Sequence, residues 1–209
     1  MSQPFQQGET VLFIGDSITD CGRDYSNNWS LGSGYALLTA AEVGKQYPEL
    51  NMRFLNRGIN GNRITDLQQR WEEDCIAHQP DWVSIYIGIN DTWRYYDQGE
   101  FTSPEDFYRT YRDLIVQTKE KTNAKLVLIE PFVLPVPAGQ REWRADLDPK
   151  IHAIRQLARE FKTYYIPLDG LFASKSTQLD PAFWAEDGVH PTAAGHALIS
   201  KAWLDAVQS

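Results

Sequence analysis

The chain has 209 residues, 42% of them hydrophobic and 23% charged, with a formal net charge of −8. That length and balance describe a globular protein with a substantial core, read as one domain over 1–209. The acidic balance argues against nucleic acid or an anionic membrane as the main partner, because both demand concentrated positive charge.

In chain order, short apolar runs alternate with longer amphipathic ones. "TVLFIG" (10–15) reads as a buried strand and "GYALLTAAEVGKQY" (34–47) as a helix. "MRFLN" (52–56) is a second strand and "RITDLQQRWEEDCIAHQ" (63–79) a second helix. "WVSIYIG" (82–88) follows as a third strand. "SPEDFYRTYRDLIVQTKEKT" (103–122) is a helix with Ser103 as N-cap and Pro104 at its first position. "AKLVLIEPF" (124–132) is a fourth strand, followed by a Pro-rich segment and a helix near 148–161. "YYIPL" (164–168) is a short fifth strand, and "TAAGHALISKAWLDAV" (192–207) is the closing helix. No apolar run approaches the roughly 20 residues of a membrane helix. The opening "MSQPFQQGET" lacks the basic and apolar regions of a signal peptide. Cys21 and Cys75 are too few for a disulfide scaffold, so free thiols in a reducing compartment are expected, most simply the cytoplasm.

The alternation predicts an α/β fold with a central parallel sheet of about five strands and helices on both faces. Ligands in such folds bind beyond the carboxyl ends of the strands, here the loops that begin near Gly15, Asn56, Gly88, Pro131 and Leu168. Three of these loops carry polar chemistry: Gly15-Asp16-Ser17, "NRGINGNR" (56–63) and "GIND" (88–91). "DGVHP" (187–191) lies just before the last helix.

A serine hydroxyl is a poor nucleophile at neutral pH and needs a base within hydrogen-bond reach. Histidine suits that role, and it needs a carboxylate to fix its tautomer and steady its charged form. Asp187 and His190 lie three apart with Gly188 between them, so a tight turn can pair them locally. Acyl transfer also needs donors for the developing oxyanion. The Ser17 N–H, a glycine N–H in the second loop (Gly58 or Gly61) and the Asn90 side-chain amide are candidates. Each piece alone is common, since Asn-Asp often caps a helix or closes a turn. All of them together at strand ends form a specific pattern.

These stretches resemble the GDSL-type, or SGNH, hydrolase family, and the likeness runs along nearly the whole chain. "FIGDSITD" resembles the block that carries the serine, "NRGINGNR" the oxyanion glycine, "GIND" the oxyanion asparagine, and "DGVHP" the acid and base. The resemblance implies a flavodoxin-like three-layer α/β/α sandwich. It implies Ser17 as nucleophile, His190 as base and Asp187 as orienting acid. It implies Ser17 N–H, Gly61 N–H and Asn90 as oxyanion donors, block spacing favouring Gly61 over Gly58. "GDSITDCGR", "RWEEDCIAHQPDWVSIYIGINDTWRYYD" and "VHPTAAGHALI" are similar to short bacterial acetylxylan esterases. That likeness implies acetylated xylan or xylo-oligosaccharides as substrate, no metal or other cofactor, and a homo-oligomer. Those relatives carry a tryptophan directly before the acid, where this chain has Glu186, with Trp184 two residues earlier.

Asp16, Trp93, Tyr95, Tyr96 and Trp184 are the candidate substrate contacts. The aromatics that follow Asn90 offer planes on which a sugar can stack. His78, His152 and His196 read as surface or capping residues, and Cys21 as a buried small residue. A metal-dependent phosphodiesterase built on Asp16, Asp20, Asp187 and His190 would leave Ser17 and Asn90 without roles. A non-catalytic sugar-binding protein would leave the whole constellation unused. An esterase for a lipid, thioester or aryl ester is the closer rival, because fold and triad do not fix the substrate.

Overall fold

The structure is a computed structural model and describes residues 3–209. Its centre is a five-stranded sheet of β1 (Thr10–Gly15), β2 (Arg53–Gly58), β3 (Trp82–Tyr86), β4 (Lys125–Ile129) and β5 (Tyr164–Ile166). The order is β2-β1-β3-β4-β5 and every neighbouring pair is parallel. This is the flavodoxin-like order of an α/β/α sandwich. Each inner strand is apolar on both faces. Val11 and Phe13 of β1 and Trp82 and Tyr86 of β3 face one core layer, while Leu12, Ile14, Val83 and Ile85 face the other. A strand covered by helices on both sides has no solvent face to alternate with, which is why these runs read as continuous apolar stretches.

α2 (Tyr35–Gln46), α7 (Leu168–Lys175) and α9 (Ala193–Val207) cover the first face through Tyr35, Val43, Phe172, Ile199 and Trp203. α3 (Ile64–Asp74), α5 (Pro104–Lys121) and the second half of α6 (Arg144–Phe161) cover the other through Trp71, Tyr111, Leu114, Ile154 and Leu157. Buried indoles find small hydroxyls in both layers. Trp203 Nε1 donates to Ser84 Oγ at 3.1 Å and Trp71 Nε1 to Thr118 Oγ1 at 3.2 Å. Such partners keep a buried N–H from being stranded.

α5 starts as its sequence dictates, with Ser103 Oγ accepting the Asp106 N–H at 3.0 Å and Pro104 in the first turn. Elsewhere the boundaries move. The helix read over 63–79 ends at Asp74 and resumes as a 3₁₀ turn at Ile76–His78. α6 begins at Arg144 rather than near 148 and carries Pro149 inside it. Its first turn is held by Arg144, which pairs with Asp148 at 2.5 Å and Asp169 at 2.6 Å. α4 (Ile89–Gln98) directly follows β3, and α7 directly follows β5; neither was expected. Single turns α1 (Ser17–Asp20) and α8 (Pro181–Trp184) complete the set used below.

The chain runs from β1 outward to β2 and then returns past β1 to β3, so the topology reverses beside β1. The strand ends are level there, with Gly15 opposite both Gly58 and Tyr86. The loops after β1, β2 and β3 therefore open into one crevice. Among the described residues no helix is long and apolar enough to cross a membrane.

Candidate active site

β1 ends at Gly15 because nothing larger fits: a Cβ there would lie 2.1 Å from the Tyr86 carbonyl oxygen. Asp16 then caps α1, its Oδ1 accepting the Ile18 N–H at 3.0 Å. Ser17 is the first residue of α1, so its own N–H has no intrahelical partner and stays available. Its hydroxyl lies 2.9 Å from His190 Nε2, although the two residues are 173 positions apart.

His190 Nδ1 lies 2.6 Å from Asp187 Oδ2, and Asp187 Oδ1 accepts the backbone N–H groups of Val189 (2.9 Å) and His190 (2.7 Å). Partial burial works to raise the Asp187 pKa. The hydrogen bonds from the His190 side chain and the two backbone amides outweigh it and hold the carboxyl below its ordinary value. An ionised carboxylate only accepts, so Nδ1 carries the ring proton and Nε2 accepts from the Ser17 hydroxyl. The turn between Asp187 and His190 needs Gly188, whose φ is +83 and whose Cβ position lies 2.2 Å from the Leu134 carbonyl oxygen. The Pro-rich segment after β4 grips this turn. Leu134 N donates to the Gly188 carbonyl at 2.8 Å, and Gln140 Nε2 donates to the Asp187 carbonyl at 2.6 Å.

The second loop is a turn in which Ile59 N donates to the Gly15 carbonyl at 3.1 Å and Asn62 N to the Ile59 carbonyl at 3.2 Å. Gly61, at φ +76, lines the crevice. Gly58 does not. Its N–H is committed to Asn56 Oδ1 at 2.8 Å, and a Cβ on it would lie 2.1 Å from the Asp20 nitrogen. Gly58 is small so that β2 can pass beneath α1. Asn90, near the start of α4, points one Nδ2 hydrogen at the Asn62 carbonyl (3.1 Å). An amide has a second hydrogen, which remains for a ligand. Asp91, next to it, is fully buried and reaches across to accept the Ile64 N–H at 3.0 Å, capping α3. Burial pushes its carboxyl up to about 7.

Ser17, Gly61, Asn90 and His190 share one open cleft of about 600 Å³. Trp93, Arg94, Asp97 and Gln98 of α4 line one part of it, and Cys21 and His196 another. The Trp93 ring is 5.8 Å from the His190 ring. The other expected substrate contacts lie elsewhere. Asp16 is wholly buried behind Ser17, and burial pushes its carboxyl up to about 7. Tyr96 stacks on Trp143 at 5.9 Å and donates its hydroxyl to the Glu142 carbonyl at 2.6 Å; Tyr95 packs on Phe101 at 5.0 Å. Both leave the helix away from the cleft. Trp184 packs under the loop of Asp187 and His190 against Phe172 and Phe183, its carbonyl accepting the Thr192 N–H at 2.9 Å.

His196 is not a surface residue, but it does cap a helix, since it takes up the N–H of Tyr35, the first residue of α2. It is 5% exposed, accepts the Tyr35 N–H on Nδ1 at 3.1 Å, and turns Nε2 toward Cys21 Sγ at 3.3 Å. Cys21 is half-buried in the cleft wall rather than buried, and both cysteines are unpaired. His78 receives a hydrogen bond from Arg57 Nε at 3.1 Å, while His152 is exposed. The carboxylates a metal centre would use are engaged elsewhere. Asp20 Oδ1 accepts the N–H groups of Gly22 and Arg23, each at 3.1 Å, and Asp16 caps α1.

The GDSL-like Lipase/Acylhydrolase family matches residues 13–198. An acetylxylan esterase from Geobacillus stearothermophilus is 39% identical over 205 residues, covering 94% of this chain and 93% of that protein. Its crystal structure aligns with a TM-score of 0.90 at 36% identity, over 99% of this chain and 97% of that one. In that esterase, variants described as catalytic mutants replace a serine, an aspartate and a histidine with alanine, the last two three residues apart. Thioesterase 1/protease 1/lysophospholipase L1 from Escherichia coli K12 is 25% identical, over 94% of this chain and 81% of that protein.

Proposed function

The chain belongs to the GDSL-like lipase/acylhydrolase family and is a carboxylic ester hydrolase; from that premise we propose that it removes acetyl groups from xylan or xylo-oligosaccharides through an acyl-enzyme on Ser17. His190 Nε2 takes the Ser17 proton as Oγ attacks the acetyl carbonyl. Asp187 steadies the imidazolium that results. The Ser17 and Gly61 N–H groups and the free Nδ2 hydrogen of Asn90 receive the oxyanion of the tetrahedral intermediate. Collapse breaks the ester bond, and His190 returns the proton to the departing sugar oxygen. Water, deprotonated by the same imidazole, then attacks the acetyl-serine and releases acetate.

The observation that carries this reading is the unbroken line from Ser17 Oγ through His190 to Asp187, with gaps of 2.9 and 2.6 Å, opening into the cleft. The likeness to the Geobacillus acetylxylan esterase supports the acetyl group and the sugar. A deacetylation assay by NMR on acetylated xylo-oligosaccharides, beside simple esters of increasing chain length, tests it. Free acetate should appear from the sugars, and acetate esters should be cleaved faster than butyrate by about tenfold or more, since each misfitting methylene costs about that factor. A preference for octanoyl esters would replace the sugar reading with a lipase or thioesterase one.

A further inference from the structure

Asn90 is not the only residue that α4 presents to the cleft. Trp93, Arg94, Asp97 and Gln98 follow it at i+3, i+4, i+7 and i+8, which is one face of a helix, and all five line the cleft. Tyr95 and Tyr96, at i+5 and i+6, do not line the cleft; Tyr95 packs on Phe101, and Tyr96 on the outer side of Trp143 with its hydroxyl on the Glu142 carbonyl. We propose that Arg94, Asp97 and Gln98, beyond the Trp93 plane, form a hydroxyl-reading subsite for the leaving alcohol, fitted to a pyranose ring with neighbouring free hydroxyls. The proposal rests on the esterase reading above and names what that esterase holds on to.

Three observations favour a polyol over other alcohols. First, Trp93 is an apolar plane beside the base, and its partner Trp143, at 5.3 Å, helps fix it, so little order is lost on binding. A ring lying on it keeps its ester oxygen close to His190, which must protonate that oxygen. Second, the next turn of α4 is polar. Arg94 gives Nη1 to Gln98 Oε1 (3.2 Å) and Nη2 to the Gly61 carbonyl (3.3 Å), which leaves further guanidinium and amide N–H donors for a ligand. Asp97 is exposed on the same rim and offers only acceptors. A sugar hydroxyl both donates and accepts, so it can replace water at each of these groups. An aliphatic alcohol would strip their water and return nothing. Third, the row and the oxyanion donor sit on the same rigid helix. The distance between the reacting carbonyl and the hydroxyl contacts is therefore fixed, which is what selection for one ring position requires.

Contacts made equally in ground and transition states appear mainly in KM. The test is the double variant Asp97→Ala/Gln98→Ala, at two exposed positions, against acetylated xylo-oligosaccharides and 4-nitrophenyl acetate. KM for the sugar should rise about tenfold with little change in kcat. Kinetics on the aryl acetate should stay within about twofold. Unacetylated xylotriose should inhibit aryl acetate hydrolysis by the wild type, and about tenfold more weakly in the variant. An unchanged sugar KM in the variant, with the wild type still deacetylating the sugar, overturns the subsite alone. An equal loss on both substrates also overturns it, because the row would then be supporting catalytic geometry. A wild type that cleaves the aryl acetate but no acetylated sugar overturns both the subsite and the substrate reading.

Discussion

Lowering the pH should remove a definable part of this protein's stability through His196, a residue outside the chemistry. Its ring is 5% exposed, its Nδ1 already accepts the Tyr35 N–H at 3.1 Å, and its Nε2 faces Cys21. A second proton would have to sit on Nδ1, against that bond. Burial, reinforced by the charge of His190, lowers the His196 pKa from 6.5 to about 4. Between those values the unfolded chain holds a proton that the native ring refuses. Stability from this group is therefore complete above 6.5, falls as the pH drops through the window, and is gone below about 4. At about 1.4 kcal/mol per unit, that window is worth roughly 3 kcal/mol. Asp16 and Asp91 act with the opposite sign. Their carboxyls, raised from 3.8 to about 7, bind more protons when native, so their contribution declines as the pH rises through that range. The wild-type profile is thus a composite, and a difference isolates the histidine. Urea unfolding of the wild type and of His196→Gln, between about pH 7 and pH 4, should show the wild-type advantage shrinking by roughly 3 kcal/mol toward the acid end. A difference that stays constant across the range would refute the buried, neutral ring.

Asn90→Ala removes one of the proposed oxyanion donors and should lower kcat by about 10²–10³-fold with a smaller change in KM, read with an aryl acetate. Asp187→Asn keeps the shape of the turn but loses the charge that fixes the His190 tautomer, and kcat should fall by about 10³-fold or more. Prolonged EDTA treatment followed by dialysis should leave esterase activity intact, because no step of the serine route uses a metal. Loss of activity restored by a divalent ion would bring back the metal-centred reading.

What could be read from the sequence followed local physics. Thr10–Gly15 was found to its boundaries because a strand buried on both faces, ending at an obligatory glycine, leaves a continuous apolar run. Asp187 and His190 could be paired because a single glycine turn brings them together. α4 was hidden by its composition. "INDTWRYYDQ" has no alanine or leucine, follows β3 almost without a gap, and starts from Gly88 at φ +130 with no side-chain cap. Read as a loop, it offered its aromatics as a block; read as a helix, its period selects Trp93, Arg94, Asp97 and Gln98 and sets aside Tyr95 and Tyr96. His196 could not be read locally at all. Its burial comes from Gly34 and Cys21, far away in the chain, where a Cβ on Gly34 would lie 2.8 Å from the ring. Asp16 was misplaced for a related reason, since its neighbour Ser17 faces the cleft while its own carboxyl turns back to cap α1.

Acylation of Ser17 in turnover is tested by the steady-state hydrolysis of an acetyl ester by Ser17→Ala, measured beside its thermal unfolding curve. The alanine variant should keep the wild-type melting temperature to within about 2 °C, since only a hydroxyl at the cleft surface is removed. Its turnover should fall to a small residue sustained by the oxyanion donors and substrate binding, about 10³-fold or more below wild type. A folded Ser17→Ala protein that turns over acetyl esters at the wild-type rate would show that Ser17 is not the acylated group.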